Sequence, residues 1–104
     1  MTRIAISGTQ WLIDHSITYP GATAAGLLMN VRMVNSTFED RHRTDFDNDA
    51  NTQLFIDQIA DYAHHGIRAF TLCLQGGMPG YEGALNSAFE TDGTLRADYL
   101  ARVE

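Results

Sequence analysis

The sequence predicts an α/β fold in which parallel strands alternate with helices. Residues 27–34 are almost continuously apolar, as expected for a parallel strand covered on both faces. A helical segment follows and ends at Gly66, and a second strand starts at once with Ile67. The apolar stripe of this helix consists of Phe55, Ile59, Tyr62 and Ala63. A strand, helix, strand order is typical of parallel strands joined by a right-handed crossover.

A short hairpin precedes this unit. Residues 4–18 alternate weakly between apolar and polar, with Asp14 and His15 suited to a polar turn, and residues 19–21 end the segment. We therefore assign residues 1–21 to a leading hairpin and residues 26–104 to two strand-helix units of one domain.

The first strand is joined to its helix by a long polar connection, residues 35–46. Either Asp47 or Asp49 is suited to cap the helix. The lone cysteine, Cys73, lies in the second strand and is expected to be a small buried hydrophobic side chain.

A second helix is predicted to begin near Ala97, after a turn at Asp92 and Gly93. Leu95 is placed to pack on Leu100 across its start. The pattern has no helix stop signal, and we expect the chain to be the amino-terminal piece of a larger enzyme. Because two parallel strands and one complete helix cannot cover their apolar faces, we expect the isolated chain to be partly molten or prone to aggregation.

Composition excludes some partners. The 104 residues include 13 acidic and 7 basic side chains, and the arginines are scattered, so nucleic-acid binding is not expected. No segment is long and apolar enough for a signal peptide or a membrane span, which predicts a soluble, cytoplasmic protein unless an upstream leader is missing.

No metal or cofactor is predicted. His64 and His65 are neighbours, which point apart on a helix, and His15 and His42 stand alone. The glycines of residues 76–80 lack the spacing and the following Lys-Ser/Thr pair of a phosphate-binding loop.

Several segments resemble the opening of bacterial cellulase-like glycoside hydrolases of the large retaining clan. They are residues 26–35, 51–56, 66–72 and 75–81, together with the leading hairpin that contains Trp11. The resemblance implies a (β/α)8 TIM barrel, of which this chain would supply the leading hairpin, two strands, one helix and the start of another. The two strand starts lie 40 residues apart, at Leu27 and Ile67, against about 31 per unit in a typical barrel, so the excess falls in the first loop.

The implied activity is hydrolysis of O-glycosidic bonds in carbohydrates by an acid/base carboxylate and a nucleophilic carboxylate. The resemblance implies that these lie at the ends of the fourth and seventh barrel strands, neither of which is in this chain. Glu39, Asp40 and Glu82 are interpreted as solvated loop carboxylates, and none is predicted to be catalytic.

Five residues are predicted to bind substrate: Arg32, Asn35, Gln75, Tyr81 and Glu82. Alternation in the first strand places Arg32 inward, where it pairs either with a catalytic carboxylate or with a structural acid. Asn35 and Gln75 end their strands and either contact sugar hydroxyls or fix their own loops. Tyr81 either stacks on a sugar ring or packs in its loop, and Glu82 lies in the same loop.

Two alternatives remain open. The chain is an α/β binding or interaction domain that completes itself by oligomerising, or its parent is a carbohydrate-binding relative without both carboxylates. The first predicts a folded, defined oligomer of this chain.

Overall fold

The computed structural model describes residues 1–33, 35–76 and 83–104. The chain divides into two compact units, unit 1 from residues 1–31 and 61–70, and unit 2 from residues 32–60 and 71–104. The elements, in chain order, are β1 (Ile4–Ser7), β2 (Gln10–Ile13), β3 (Ser16–Ile17), β4 (Asn30–Met33), α1 (Asn48–His64), β5 (Ala69–Leu72), β6 (Gln75–Gly76), β7 (Asn86–Ser87) and α2 (Ala97–Val103).

Unit 1 begins with an antiparallel sheet in the order β1-β2-β3. Ile4 pairs with Ile13 and Ile6 with Trp11, so these four side chains share one face. The predicted turn at Asp14 and His15 is present, and both residues have positive φ angles of 49° and 68°. It joins β2 to β3, while a turn at Gly8 joins β1 to β2, so the predicted hairpin is a three-stranded meander.

The segment after β3 closes onto this sheet. The amide of Trp11 donates to the carbonyl of Gly26 at 2.8 Å, and the Gly26 amide donates to Thr18. Gly26 has a φ of +81°, and a Cβ there would lie 2.9 Å from Cγ of Gln10, so only glycine fits. The Tyr19 hydroxyl donates to the Gly66 carbonyl at 2.7 Å and accepts from the Met29 amide, which ties distant parts of unit 1 together.

Helix α1 has the predicted start and stop. The Asp47 carboxylate accepts a hydrogen bond from the Ala50 amide at 2.9 Å, so Asp47 is the cap. Gly66 follows the helix with a φ of +92°. The amide of the next residue, Ile67, donates back to the Tyr62 carbonyl in the last turn of the helix. The stripe is narrower than predicted, because Ile59 is 38% exposed.

Unit 2 is organised around Tyr99 of α2, which is completely buried. Its hydroxyl lies 3.0 Å from Oδ1 of Asn86 and 3.3 Å from the Cys73 carbonyl. Strands β6 and β7 pair antiparallel, and Phe89 bridges to Leu95 beyond the predicted turn at residues 92–93. Cys73 itself is half-buried.

The predicted partial (β/α)8 barrel is wrong. In the described ranges the strands form three separate small sheets, of which two are antiparallel and the β4-β5 pair is parallel. The reason lies in the length of the regular segments: among the described residues of the apolar runs 27–33 and 67–74, each run contributes four strand residues. After β5 the chain turns at Cys73 and Leu74 and pairs antiparallel through Gln75, which ends the parallel arrangement.

Several side chains predicted to be covered are exposed. Leu27 and Met29, expected in a strand buried on both faces, are 58% and 43% exposed. Leu95 and Leu100, expected to pack on each other, are 56% and 36% exposed. In the described part of the chain the buried hydrophobic residues are Ala84, Ala88 and Tyr99. Among the described residues, no helix has the length and apolarity to cross a membrane.

Candidate functional site

A groove with a volume of about 440 Å³ lies in unit 2. It runs between the end of β4, the loop after it, and one side of α1. The side chains that give it its chemistry are Arg32, Asn35, Asn51, Leu54, Phe55 and Gln58. A guanidinium and three amides therefore face the same space as an aliphatic and an aromatic side chain.

The helical wall of the groove follows from residue spacing. Asn51, Leu54, Phe55 and Gln58 are related by i, i+3, i+4 and i+7, which places them on one face of α1. This face is displaced from the apolar stripe predicted from residues 55–63. The mixed amide and apolar periodicity from residue 51 was the signal in the sequence that would have identified it.

The other wall is held by short-range hydrogen bonds. Nδ2 of Asn51 donates to the Asn35 carbonyl at 2.8 Å, which fixes the loop against the helix. The Ser36 hydroxyl donates to the Met33 carbonyl at 2.9 Å. Nδ2 of Asn51 also lies 3.5 Å from the Ser36 carbonyl, so it bonds to the main chain of two loop residues, while Asn35 itself is exposed.

The loop that forms this wall is anchored by a buried carboxylate. Glu39 is 3% exposed, its Oε1 binds the guanidinium of Arg96, and its Oε2 lies 2.8 Å from Nη2 of Arg102. Hydrogen bonding to Glu39 raises the pKa of Arg96 above its ordinary value. The guanidinium of Arg102 lies 4.8 Å from the ring centre of Tyr99. The interpretation of Glu39 as a solvated loop acid is wrong, because Arg96, which directly precedes α2, and Arg102 of α2 both bind it.

Asp40 is buried as well, which corrects the same prediction for this residue. It is 8% exposed, and its Oδ1 accepts hydrogen bonds from the amides of Leu85 and His42, each at 3.0 Å. These two bonds, Leu85 first, lower the pKa of Asp40 below its ordinary value. The Arg41 amide also donates to the Leu85 carbonyl, so hydrogen bonds hold the loop against the segment before β7.

The predicted substrate-binding residues fall in different places. Arg32 and Asn35 both line the groove, and no described residue forms an ion pair with Arg32. Gln75 is exposed in β6, opposite Ser87, and is not part of the groove lining. Its predicted inward orientation depended on the barrel. Tyr81 and Glu82 lie outside the described residues.

Comparison of the chain with protein-family models, with curated proteins and with solved structures gives no match. Within residues 1–33, 35–76 and 83–104, no group of three or more His, Cys, Asp or Glu side chains is arranged to hold a metal ion.

Proposed function

We propose that this chain supplies carbohydrate-binding surface to a glycoside hydrolase-like enzyme that cleaves O-glycosidic bonds. The observation that carries the proposal is the groove beside α1. Its volume of about 440 Å³ falls within the range of small-molecule sites, which combine apolar walls with a few placed polar groups.

The lining suits a sugar for two chemical reasons. Amides both donate and accept hydrogen bonds, as hydroxyl groups require, and the groove presents Asn35, Asn51 and Gln58. Leu54 is 60% exposed and stands beside Phe55, so an apolar surface is available for the C–H face of a sugar ring. The guanidinium of Arg32 adds a donor fork.

The groove supports binding and not the bond cleavage itself. Retaining hydrolysis needs two carboxyl groups about 5 to 5.5 Å apart at the scissile bond. None of the described residues that line the groove carries a carboxylate, and Glu39 is bound by two arginines. The proposal therefore places the catalytic pair outside this chain, in the rest of the enzyme. A cytoplasmic location, or secretion if a leader precedes Met1, belongs to the same proposal.

Calorimetric titration of the chain with a panel of soluble oligosaccharides tests this function. Gln58→Ala removes one hydrogen-bonding group from the groove and is expected to weaken sugar binding about fivefold, the equivalent of roughly 1 kcal/mol. Gln53→Ala is the matched control, because Gln53 lies on the same helix, bonds to Asp57 and is outside the groove. Failure of every sugar in the panel to bind, or equal effects of the two variants, would contradict the proposal.

A second candidate function, an interaction domain that oligomerises, is favoured by the amount of exposed apolar surface. The largest such side chains in the described part of the chain include Ile4, Ile6, Leu27, Leu54 and Ile56, all at least 47% exposed. Monomeric proteins rarely leave large contiguous apolar patches in water. Sedimentation equilibrium distinguishes this candidate, because it requires one defined oligomer instead of a monomer or a range of aggregates.

A further inference from the structure

A second cavity of about 270 Å³ lies in unit 2, beside the first turn of α1. It differs from the groove in being lined entirely by charged and amide side chains. The members that matter here are Asp40, Arg41, Asn48, Arg96 and Asp98. An apolar occupant would leave these groups without hydrogen-bond partners, so the cavity selects a polar one.

Three of these side chains have unused hydrogen-bonding capacity. Oδ1 of Asn48 is buried and has no partner among the described residues. Both hydrogen bonds to the Asp40 side chain fall on Oδ1, which leaves its Oδ2 available. The guanidinium of Arg41 has one long contact, 3.8 Å to Glu90, and its side chain is 39% exposed. The cavity therefore offers two acceptors and a donor fork.

The charges around the cavity select a neutral ligand. Three arginines and three acids line it, and their formal charges cancel. Arg96 is already bound by Glu39 and Asp98, and Arg43 by Asp45. A metal ion would meet three guanidinium groups, and a free anion would meet three carboxylates. Hydroxyl groups, which donate to Asp40 and Asn48 and accept from Arg41, satisfy all the unused groups at once.

The cavity and the groove are lined by nearby positions on α1. Asn48 lines the cavity and Asn51 lines the groove, and residues three apart on a helix have Cβ atoms about 5 to 6 Å apart on the same side. In the loop, too, residues three apart line the two spaces: Ser36 lines the groove and Glu39 lines the cavity. One extended ligand can therefore lie along the first turns of α1 and enter both.

We propose that the polar cavity is a second subsite, which binds the hydroxyl groups of the neighbouring sugar unit of the ligand held in the groove. This inference depends on the proposed function. It makes the ligand an oligosaccharide and names Asp40, Arg41 and Asn48 as the side chains that recognise its second unit.

The test takes the sugar type of the panel that binds most tightly and compares the affinities of its monosaccharide and its trisaccharide by calorimetry. The chain is expected to bind the trisaccharide at least ~5-fold more tightly, as one or two added hydrogen bonds would give. Arg41→Ala and Asn48→Ala are expected to abolish this gain and to leave monosaccharide affinity unchanged. Arg3→Ala, an exposed arginine of unit 1, is the control and is expected to keep the gain.

Far-ultraviolet circular dichroism shows that each variant is folded before titration, and having two variants keeps the test valid if one is not. Sugars that bind with no gain from added length overturn the second subsite and leave the groove intact. The second subsite is also overturned if both variants still bind the trisaccharide more tightly than the monosaccharide, or if they lose equal affinity for the two sugars. Absence of binding by any sugar rejects the proposed function and this inference together.

Discussion

Arg96, at the start of α2, and Arg102 within it share one buried carboxylate, that of Glu39. The side chains of Arg96 and Arg102 are 10% and 8% exposed, so neither charge is well hydrated without its partner. Buried ion pairs add little net stability relative to apolar replacements, but removing one partner leaves the other charge buried and uncompensated, which is destabilising. Sequence patterns did not indicate this cluster, because Glu39 and Arg96 are 57 residues apart.

Glu39→Gln is therefore expected to lower the free energy of unfolding by about 3 kcal/mol, because Arg102 loses its carboxylate partner and Arg96 keeps only the exposed Asp98 and Glu90, while the shape is kept. The measurement is urea denaturation followed by circular dichroism. Glu90→Gln is the control, since Glu90 is 48% exposed, contacts arginines only at 3.8 Å and should cost under about 1 kcal/mol. Similar losses in both variants would show that burial of Glu39 is not what matters.

Asp40 predicts an acid dependence of stability. Its pKa is lowered in the folded chain by the amides of Leu85 and His42. Its contribution is therefore fully present above the unfolded pKa of about 4 and is lost as pH falls through the lower folded pKa. Asp40→Asn keeps an acceptor oxygen for both amides and should flatten the decline in stability below about pH 4. Identical acid denaturation curves for the two proteins would contradict this assignment.

The elements show where local sequence rules succeed. Helix α1 begins after Asp47 and ends before Gly66 because a capping carboxylate and a positive φ angle act within a few residues. The turn at residues 92–93 follows the same logic, with the Thr94 amide bonded to Asp92. Strand pairing was less predictable, since the switch from β5 to the antiparallel β6 is set by partners ten and twelve residues away.

Asp47→Ala should reduce the stability of α1 by about 1 kcal/mol, because the Ala50 amide loses its acceptor. Asp49→Ala is the matched control, since Asp49 lies within the first turn and does not cap it. Helical content and the urea midpoint report the difference. A larger loss in Asp49→Ala would mean that the helix begins elsewhere.

At the scale of the whole molecule, the sequence pattern led to the wrong architecture. Continuous apolar runs predict strands covered on both faces only if neighbouring elements cover them, and here Leu27, Met29 and Leu74 are left 37% to 58% exposed. Arg32 was identified from the alternation along the first strand, and Asn35 from its position at the end of that strand. The helical wall and the polar cavity depend on side chains brought together by folding, which strand-end reasoning does not capture.

The same exposed surface predicts self-association. Ile4 and Ile6 lie on the outer strand β1 and are 50% and 63% exposed, next to unpaired main-chain groups at the sheet edge. Ile4→Thr with Ile6→Thr should reduce association without disrupting β1, because threonine retains strand propensity. Sedimentation velocity over a range of concentrations measures this effect. Unchanged association would mean that the chain associates through a surface other than β1.

If the groove beside α1 binds carbohydrate as proposed, the side-chain amide resonances of its lining residues respond to the sugar. We would titrate the isotope-labelled chain with the tightest-binding oligosaccharide of the panel and follow these signals by nuclear magnetic resonance. Binding in the groove is expected to shift the side-chain amide resonances of Asn35, Asn51 and Gln58 and to leave that of Gln53 unchanged. Shifts confined to the β1-β2-β3 sheet, or no shifts at saturating sugar, would contradict it.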